Sequence, residues 1–269
     1  MRSEREFDEA PLANDGADEA GLDELLQTAH RRFDRALQRI RRPRVEIGVA
    51  ATPLGELLIA QSARGLMLVR FLDTPDTPAL VAELKERFDL VESPTMAATI
   101  GGEIERLFQG ETAAIAARPV DLSLVESAFQ RRALTRLRKV PAGAVTTYQA
   151  LAAASGSPSA QRAIGNTVAS NPLAVYVPCH RVIKSDGALG NYGGGVERKL
   201  KLLRAEGFGF DRGKRIPAST VYGHLVTRIF CRPTCAAAKR ARIDRMLIFP
   251  DTKGAAAAGM RPCKLCHPA

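Results

Sequence analysis

From Leu22 to Ile40 apolar side chains return at helical spacing (Leu22, Leu25, Leu26, Ala29, Phe33, Leu37), which predicts an amphipathic helix running into a basic stretch, Arg39 to Arg44. The texture then changes. In "VEIGVAATPLGELLIAQSARGLMLVRFL" short β-type runs are punctuated by Pro-Leu-Gly and Ala-Arg-Gly, so three strands joined by two tight turns are expected. Helical spacing resumes over Pro78–Phe88 and over Met96–Phe108, the latter stopping at Gly110 as a C-cap. "SAFQRRALTRLRKV" (127–140) is an amphipathic basic helix closed by Pro-Ala-Gly. Two shorter helices follow in "TTYQALAAASG" and "SPSAQRAIGNTVASN", with Ser157 as the expected N-cap of the second and Pro158 at its first position. A glycine turn between two short helices is a helix-turn-helix candidate. Small residues (Ala160, Ala163, Gly165, Ala169) surround Arg162 on the second helix, a face able to approach a groove closely or to pack on its own core.

An apolar run, Leu173 to Val177, is expected to form a strand leading into Pro178-Cys179-His180-Arg181. A glycine-rich loop, Gly187 to Gly195, leaves this segment, and a helix over Val196–Glu206 stops at Gly207. "FDRGKRIPAS" (210–219) has the composition of a linker.

Charge changes the picture. Residues 1–25 hold nine acids and two arginines, net −7, so the formal total of +10 leaves +17 on residues 26–269. Residues 1–20 are expected to be disordered, and the basic remainder points to a polyanionic partner, most often nucleic acid. No run is long and apolar enough for a membrane span and no signal-peptide pattern opens the chain, so a cytoplasmic protein is expected.

Five cysteines set the candidate chemistry. Cys231, Cys235, Cys263 and Cys266 form a C-x3-C and a C-x2-C pair, the spacing that brings four thiolates to one tetrahedral Zn²⁺. Cys179 stands alone. A lone cysteine is by default inert core, and a nucleophilic one needs a base, because an ordinary thiol is mostly protonated at neutral pH. His180 is adjacent, although neighbours on a strand face opposite ways, so contact requires a bend at Pro178 or a bridging water. Glu206 could orient the imidazole.

At these residues the chain resembles the O6-alkylguanine-DNA alkyltransferases (methylated-DNA–protein-cysteine methyltransferases). The likeness lies in "RAIGN", "SNPLAVYVPCHRVIKSDGALGNYGGG", "FQRRALTRLRKVPAGAVTTYQALA" and "TPLGELLIA", and covers about residues 46–210. It implies that Cys179 is the alkyl acceptor, that His180 deprotonates it through a water and that Glu206 holds His180. It further implies that Asn171 ties the recognition helix to the active-site strand, that Tyr148 and the backbones of Val182 and Gly193 read the extruded guanine, and that Arg162 fills the gap left in the base stack. Gly193 stands where the family often has serine; the donor is a backbone N–H, so little loss follows. Extrusion costs roughly a few kcal/mol, and the thioether product has no easy return, so each chain should act once.

The last fifty residues resemble the metal-binding domain of Ada-type adaptive-response proteins, in "IFCRPTC" and "GMRPCKLCHP". The likeness implies a Zn²⁺ site at Cys231, Cys235, Cys263 and Cys266, with Cys231 a possible second acceptor for methylphosphotriesters. Two departures qualify that role: Leu225-Val226-Thr227-Arg228 replaces the family's Arg-Thr-Thr-Gly, and Arg245-Met246 its Asn-Val.

The resulting expectation is an α/β + α chain. An acidic tail and amphipathic helix (1–45) precede a small RNase H-like α/β domain (46–121), a winged-helix-like alkyltransferase domain (122–213) and a zinc module (218–269) that folds on its metal without disturbing the rest. The partner is double-stranded DNA carrying O6-alkylguanine; no organic cofactor and no membrane are expected, and the protein is a bacterial, nucleoid-associated monomer. The rivals are an Ada-like methylation-responsive regulator, weakened by the missing regulatory domain, and a non-catalytic lesion binder, which would lack Cys179.

Overall fold

The computed structural model describes residues 19–40 and 42–268. The acidic residues 1–18 lie outside it. The chain divides into two compact units, Met1–Pro43 and Arg44–Ala269. The first contains helix α1 (Glu19–Ile40), which leaves Leu22, Leu25, Leu26, Phe33 and Leu37 exposed.

The second unit opens with the expected three strands, β1 (Arg44–Thr52), β2 (Gly55–Ser62) and β3 (Gly65–Phe71). Gly55 and Gly65 take the positive φ angles of the two turns, +104° and +132°, which glycine adopts without a Cβ clash. Helix α2 (Thr77–Arg87), strand β4 (Asp89–Glu92), helix α3 (Pro94–Phe108) and the short α4 (Ala113–Ala117) complete this part. The sheet order is β3-β2-β1-β4, with β4 parallel to β1. Helix α3 starts on Ser93, whose hydroxyl accepts from Met96 N, and lies close over the sheet: a Cβ on Gly48 would sit 2.9 Å from that of Ala97. Gly110 ends it with φ +89°.

Strand β3 has a function beyond the sheet. Its outer edge bonds the segment that follows Asn171: Val69 N donates to Pro172 O (2.8 Å) and Ala174 N to Val69 O (2.9 Å). The approach to Cys179 is thereby pinned to the N-terminal sheet.

Helix α5 (Ala128–Leu137), strand β5 (Thr146–Thr147), helix α6 (Tyr148–Ala154) and helix α7 (Gln161–Ala169) follow. The expected start of α7 is corrected. Ala160, not Ser157, precedes it, because Ser157–Ala160 closes a turn (Ala160 N to Ser157 O, 2.9 Å) with Pro158 at the position such turns favour. Ile164, Thr167 and Val168 of α7 are buried, whereas Arg162, Ala163 and Ala169 are exposed, so the small-residue face does not pack on the core.

The expected strand over Leu173–Val177 is also absent. Val175 has φ +71°, Tyr176 N bonds Ala174 O and Cys179 N bonds Val177 O, so the chain winds through tight turns. Cys179–Arg181 is one turn of 3₁₀ helix, after which β6 (Val182–Ile183) pairs in parallel with β5. Alternation along a strand therefore does not govern Cys179 and His180. Helix α8 (Val196–Ala205) ends on Glu206, with Phe208 N reaching back to Leu203 O (2.8 Å) and Gly207 at φ +80°.

Residues 210–219 are not a free linker. Leu189 N bonds Lys214 O (2.9 Å), Ile216 N bonds Gly187 O (3.0 Å), and Phe210 and Ile216 pack on Leu189, Leu203 and Phe208. Strand β7 (Val221–His224), β8 (Ile229–Cys231), helix α9 (Ala236–Arg240), β9 (Met246–Phe249), helix α10 (Thr252–Ala257) and β10 (Arg261–Pro262) form the C-terminal part. Its sheet order is β10-β8-β7-β9. Val221, Phe230, Leu247 and Phe249 belong to the same apolar cluster as Leu137, Val140 and Ala152.

Candidate active site and metal centre

Cys179 is buried, with 5 % of its surface exposed. Asn171 organises the turn that carries it: Nδ2 donates to Val177 O (2.8 Å) and lies 3.0 Å from Cys179 Sγ, while Oδ1 accepts from Leu173 N (3.1 Å). Burial pushes the thiol above its ordinary pKa, and the Asn171 hydrogen bond and the Lys199 charge only partly offset this. The resting group is a neutral thiol that needs a base.

His180 is fully buried, and its Nε2 sits 2.9 Å from Glu206 Oε1. Burial lowers the imidazole pKa despite the carboxylate, so the resting ring is neutral. With Nε2–H donating to Glu206, the lone pair is on Nδ1, which is buried and has no protein partner. That nitrogen is the free basic atom. Arg181 grips the same carboxylate, Nε to Oε2 at 2.8 Å and Nη2 to Oε1 at 2.5 Å, and Nη1 donates to Val140 O. Burial alone would raise Glu206, but the charges and hydrogen bonds of His180 and Arg181 prevail and hold it at about 2.

Three contributors were not singled out from the sequence. Arg181 was inside the quoted motif, and a charge flanking His180 in an apolar run was its signal. Lys199 sits at a buried position of α8 beside Leu200, Leu202 and Leu203, and a lysine on an apolar helix face is itself a flag. Its Nζ donates to Val182 O (2.6 Å), Leu189 O (2.7 Å) and Asn191 O (3.3 Å), and burial lowers it to about 8. Tyr192 packs edge-on against Phe71, and its buried phenol interacts with the Cys179 sulfur. Burial and then the Cys179 charge raise its phenol.

Cys179, Asn171, Tyr192, Gly193 and Ala174 border a cavity of about 40 Å³, room for water and not for a purine. A groove of about 470 Å³ abuts it, sharing Val168, Ala169, Tyr192 and Gly193 and adding Tyr148 and Gly165 of the two short helices. Tyr148 is raised by burial and then by the Cys179 charge, so it stands near the thiol. The structure therefore brings together Cys179, Asn171, Tyr148 and Gly193, and His180, next to Cys179 on the 3₁₀ turn, is bonded to Glu206. Val182 lines neither space; its carbonyl is held by Lys199. Arg162 projects from α7 outside both.

The second centre is built by β8, β10 and the turns after them. The sulfurs of Cys231, Cys235, Cys263 and Cys266 all lie within 4.8 Å of one another. Tetrahedral Zn–S bonds of about 2.3 Å need sulfurs roughly 3.8 Å apart, so the set fits Zn²⁺. Arg232 N and Leu265 N point at Cys266 and Cys263 sulfurs (3.4 Å each), as suits thiolates. Burial and the neighbouring thiols raise Cys231, a penalty that a bound dication removes. Cys231, Cys235 and Cys263 are buried, and Cys266 is the more exposed residue.

A buried thiol, followed in the chain by a histidine held on a carboxylate and bordering a cavity that adjoins a groove of about 470 Å³ on two short helices, makes a candidate single-cysteine site. Residues 128–208 match the family model of the 6-O-methylguanine DNA methyltransferase DNA-binding domain, and residues 210–269 that of the metal-binding domain of Ada. The methylated-DNA–protein-cysteine methyltransferase of Rattus norvegicus is 37 % identical over 59 % of this chain and 80 % of its own. That of Mycobacterium leprae is 34 % identical over 58 % and 88 %. Escherichia coli "Bifunctional transcriptional activator/DNA repair enzyme Ada" is 33 % identical over 60 % of this chain, which spans only 45 % of Ada's length. Among solved structures, Mycobacterium tuberculosis O6-methylguanine methyltransferase superposes with a TM-score of 0.50 at 30 % identity, over 65 % of this chain and 96 % of that one. The chain belongs to the methylated-DNA–protein-cysteine methyltransferase family.

Proposed function

We propose that this protein removes alkyl groups from O6-alkylguanine in double-stranded DNA by one irreversible transfer to Cys179. The observation that carries the reading is a buried thiol with Asn171 Nδ2 at 3.0 Å, followed on the same 3₁₀ turn by a histidine whose basic Nδ1 is free because Glu206 takes Nε2–H. His180 takes the thiol proton through one water. The Cys179 sulfur then forms its bond to the alkyl carbon as the carbon–O6 bond breaks, and the guanine leaves with a proton from the site. Glu206 stabilises the transient imidazolium, and Arg181 keeps Glu206 ionised. The extruded base occupies the groove beside Tyr148, Val168 and Gly193, with Tyr148 and the Gly193 backbone as its readers. Helix α7 enters the minor groove on its exposed small face, and Arg162 replaces the flipped base.

We assign the sheet-bearing 46–121 region to an RNase H-like α/β domain, 122–213 to a winged-helix-like domain with α6 and α7 as its helix-turn-helix, and 218–269 to the zinc module. Cys231, Cys235, Cys263 and Cys266 would hold a Zn²⁺, which would keep the four thiols deprotonated and organise the module. Cys231 is a buried residue and Cys266 the more exposed one of the four, which favours the structural role over methylphosphotriester repair at Cys231. Among the described residues no helix is long and apolar enough to cross a membrane, and we place the protein on bacterial DNA as a cytoplasmic monomer.

The test is intact-mass measurement with peptide mapping after exposure to excess O6-methylguanine duplex. One methyl per chain on Cys179, and none on Cys179→Ser, is expected. Multiple turnover, or undiminished repair by the serine variant, overturns the reading. A methyl on Cys231 after exposure to methylphosphotriester DNA would restore the second-acceptor role.

A further inference from the structure

The zinc module is bonded to the strands that carry the Cys179 site. Val145 N donates to Ile248 O and Ile248 N donates to Val145 O, both at 2.9 Å, a reciprocal antiparallel bridge between β9 and the residue that opens β5. Strand β5 pairs with β6 through Thr146–Val182 and Thr147–Ile183. The two short strands end in site residues: β5 runs directly into Tyr148, and β6 begins immediately after Arg181. The four-stranded sheet of the module is thus extended, through one two-bond bridge, into the pair of strands from which the groove and the thiol turn depart.

Side chains follow the same path. Ile248 shares a cluster with Val145, Ile183, Leu189, Leu200 and Leu203. At the other end of the α5–α6 connection, Val140 O accepts from Arg181, the residue that fixes Glu206. One segment, 140–147, therefore touches the module at Val145 and the histidine–carboxylate relay at Val140. A two-stranded pair of two residues each has little stability of its own. It needs the neighbouring strand.

We infer that Val145 and Ile248 are positioning residues for alkyl transfer, and that the metal-folded module braces the Cys179 site. The inference rests on the proposed transfer to Cys179. It departs from the expectation that losing the metal leaves the body undisturbed. The module is part of the site's scaffold, and Zn²⁺ acts on it only by fixing the fold that presents β9.

The stoichiometric reaction gives a clean test on the full-length, zinc-loaded chain, with O6-methylguanine free base as probe. A variant that merely unfolds loses the end-point, the number of methyls accepted per chain. A variant whose site is mis-set keeps the end-point and loses rate. Ile248→Ala should keep the end-point near one methyl while the limiting rate constant falls about tenfold, with half-saturation unchanged within about twofold. Ile248→Val should restore the rate. Removing the metal with a chelator should lower amide-exchange protection of the 145–147 and 182–183 backbone as well as that of 218–268.

An unchanged rate constant for Ile248→Ala, or a lost end-point at normal rate, overturns the inference. So does metal removal that melts the module and leaves protection at 145–147 and 182–183 intact. If the wild-type chain accepts no methyl, the transfer reading fails and the exchange measurement still decides whether the brace exists.

Discussion

Arg181 and His180 meet on one carboxylate: Glu206 Oε1 accepts from His180 Nε2 at 2.9 Å and from Arg181 Nη2 at 2.5 Å, while Oε2 takes Arg181 Nε at 2.8 Å. All three side chains are buried. Removing one partner of a buried ion pair leaves an uncompensated charge, which costs about 3–5 kcal/mol. Arg181→Leu should therefore lower stability by that amount in urea denaturation at pH 7 and should also orphan Val140 O. Glu206 would rise from about 2, and with it the fraction of protein whose His180 is wrongly held. A loss below about 1 kcal/mol would mean that water replaces the guanidinium and the triad is not closed.

The same carboxylate sets an acid limit. Its pKa is 4.5 when unperturbed and about 2 in the fold. The folded state thus binds the proton less readily, and the associated stability is present above pH 4.5 and lost as pH falls towards 2. That difference corresponds to about 3 kcal/mol. His180 acts in the same direction. Its folded pKa lies below 6.5, so the unfolded chain takes up its proton first and stability begins to fall below that pH. Urea midpoints measured from pH 7 to 3 should decline for the wild type, and Glu206→Gln should remove the part lying below pH 4.5. A parallel decline in both proteins would assign acid sensitivity to other groups.

Much of the chemistry was legible in order along the chain. Cys179, His180 and Asn171 lie within one short stretch, and the four zinc-type cysteines carry their spacing openly. What the sequence hid was conformation at the thiol. Apolar residues 173–177 read as a strand, but Val175 adopts φ +71° because Asn171 and β3 bond the chain on both sides of it, a tertiary constraint without a local signature. The start of α7 was misplaced for a local reason: Ser157-Pro158 opens a helix or a turn equally well. The composition of 210–219 suggested freedom, yet Phe210 and Ile216 were the two residues that a free linker would not need. They are anchored on the α8 cluster.

The extrusion role proposed for Arg162 can be tested apart from the chemistry proposed at Cys179. Arg162 is exposed on α7 and borders neither the thiol cavity nor the adjoining groove. Under that role Arg162→Ala should slow methyl transfer from duplex DNA by about tenfold or more, because unstacking costs a few kcal/mol that the arginine would offset. Transfer from the free base should change less than about twofold. Single-turnover rates on both substrates measure this, and equal losses on the two would remove the assigned role.

Lys199 supplies the last prediction. Its ammonium is fully buried, donates to three backbone carbonyls and has no carboxylate among its hydrogen-bond partners. Burial lowers it to about 8, while the Cys179 charge works in the opposite direction. The coupling is mutual: the Lys199 charge lowers the Cys179 thiol, whose dominant influence is the opposing effect of burial. Lys199→Met keeps the stem and deletes the charge. The thiol should then titrate at still higher pH, and each unit of that rise removes about tenfold of thiolate at neutral pH. Free-base transfer should consequently slow at pH 7 and recover as pH is raised, so the alkaline limb of the rate profile moves upward. The carbonyls of Val182 and Leu189 lose their donor, so stability should fall as well, by about 1–3 kcal/mol. End-point titration separates the two effects, since destabilisation removes competent protein without moving the pH profile. A slower reaction with an unshifted profile would show that Lys199 holds the loop and does not tune the thiol.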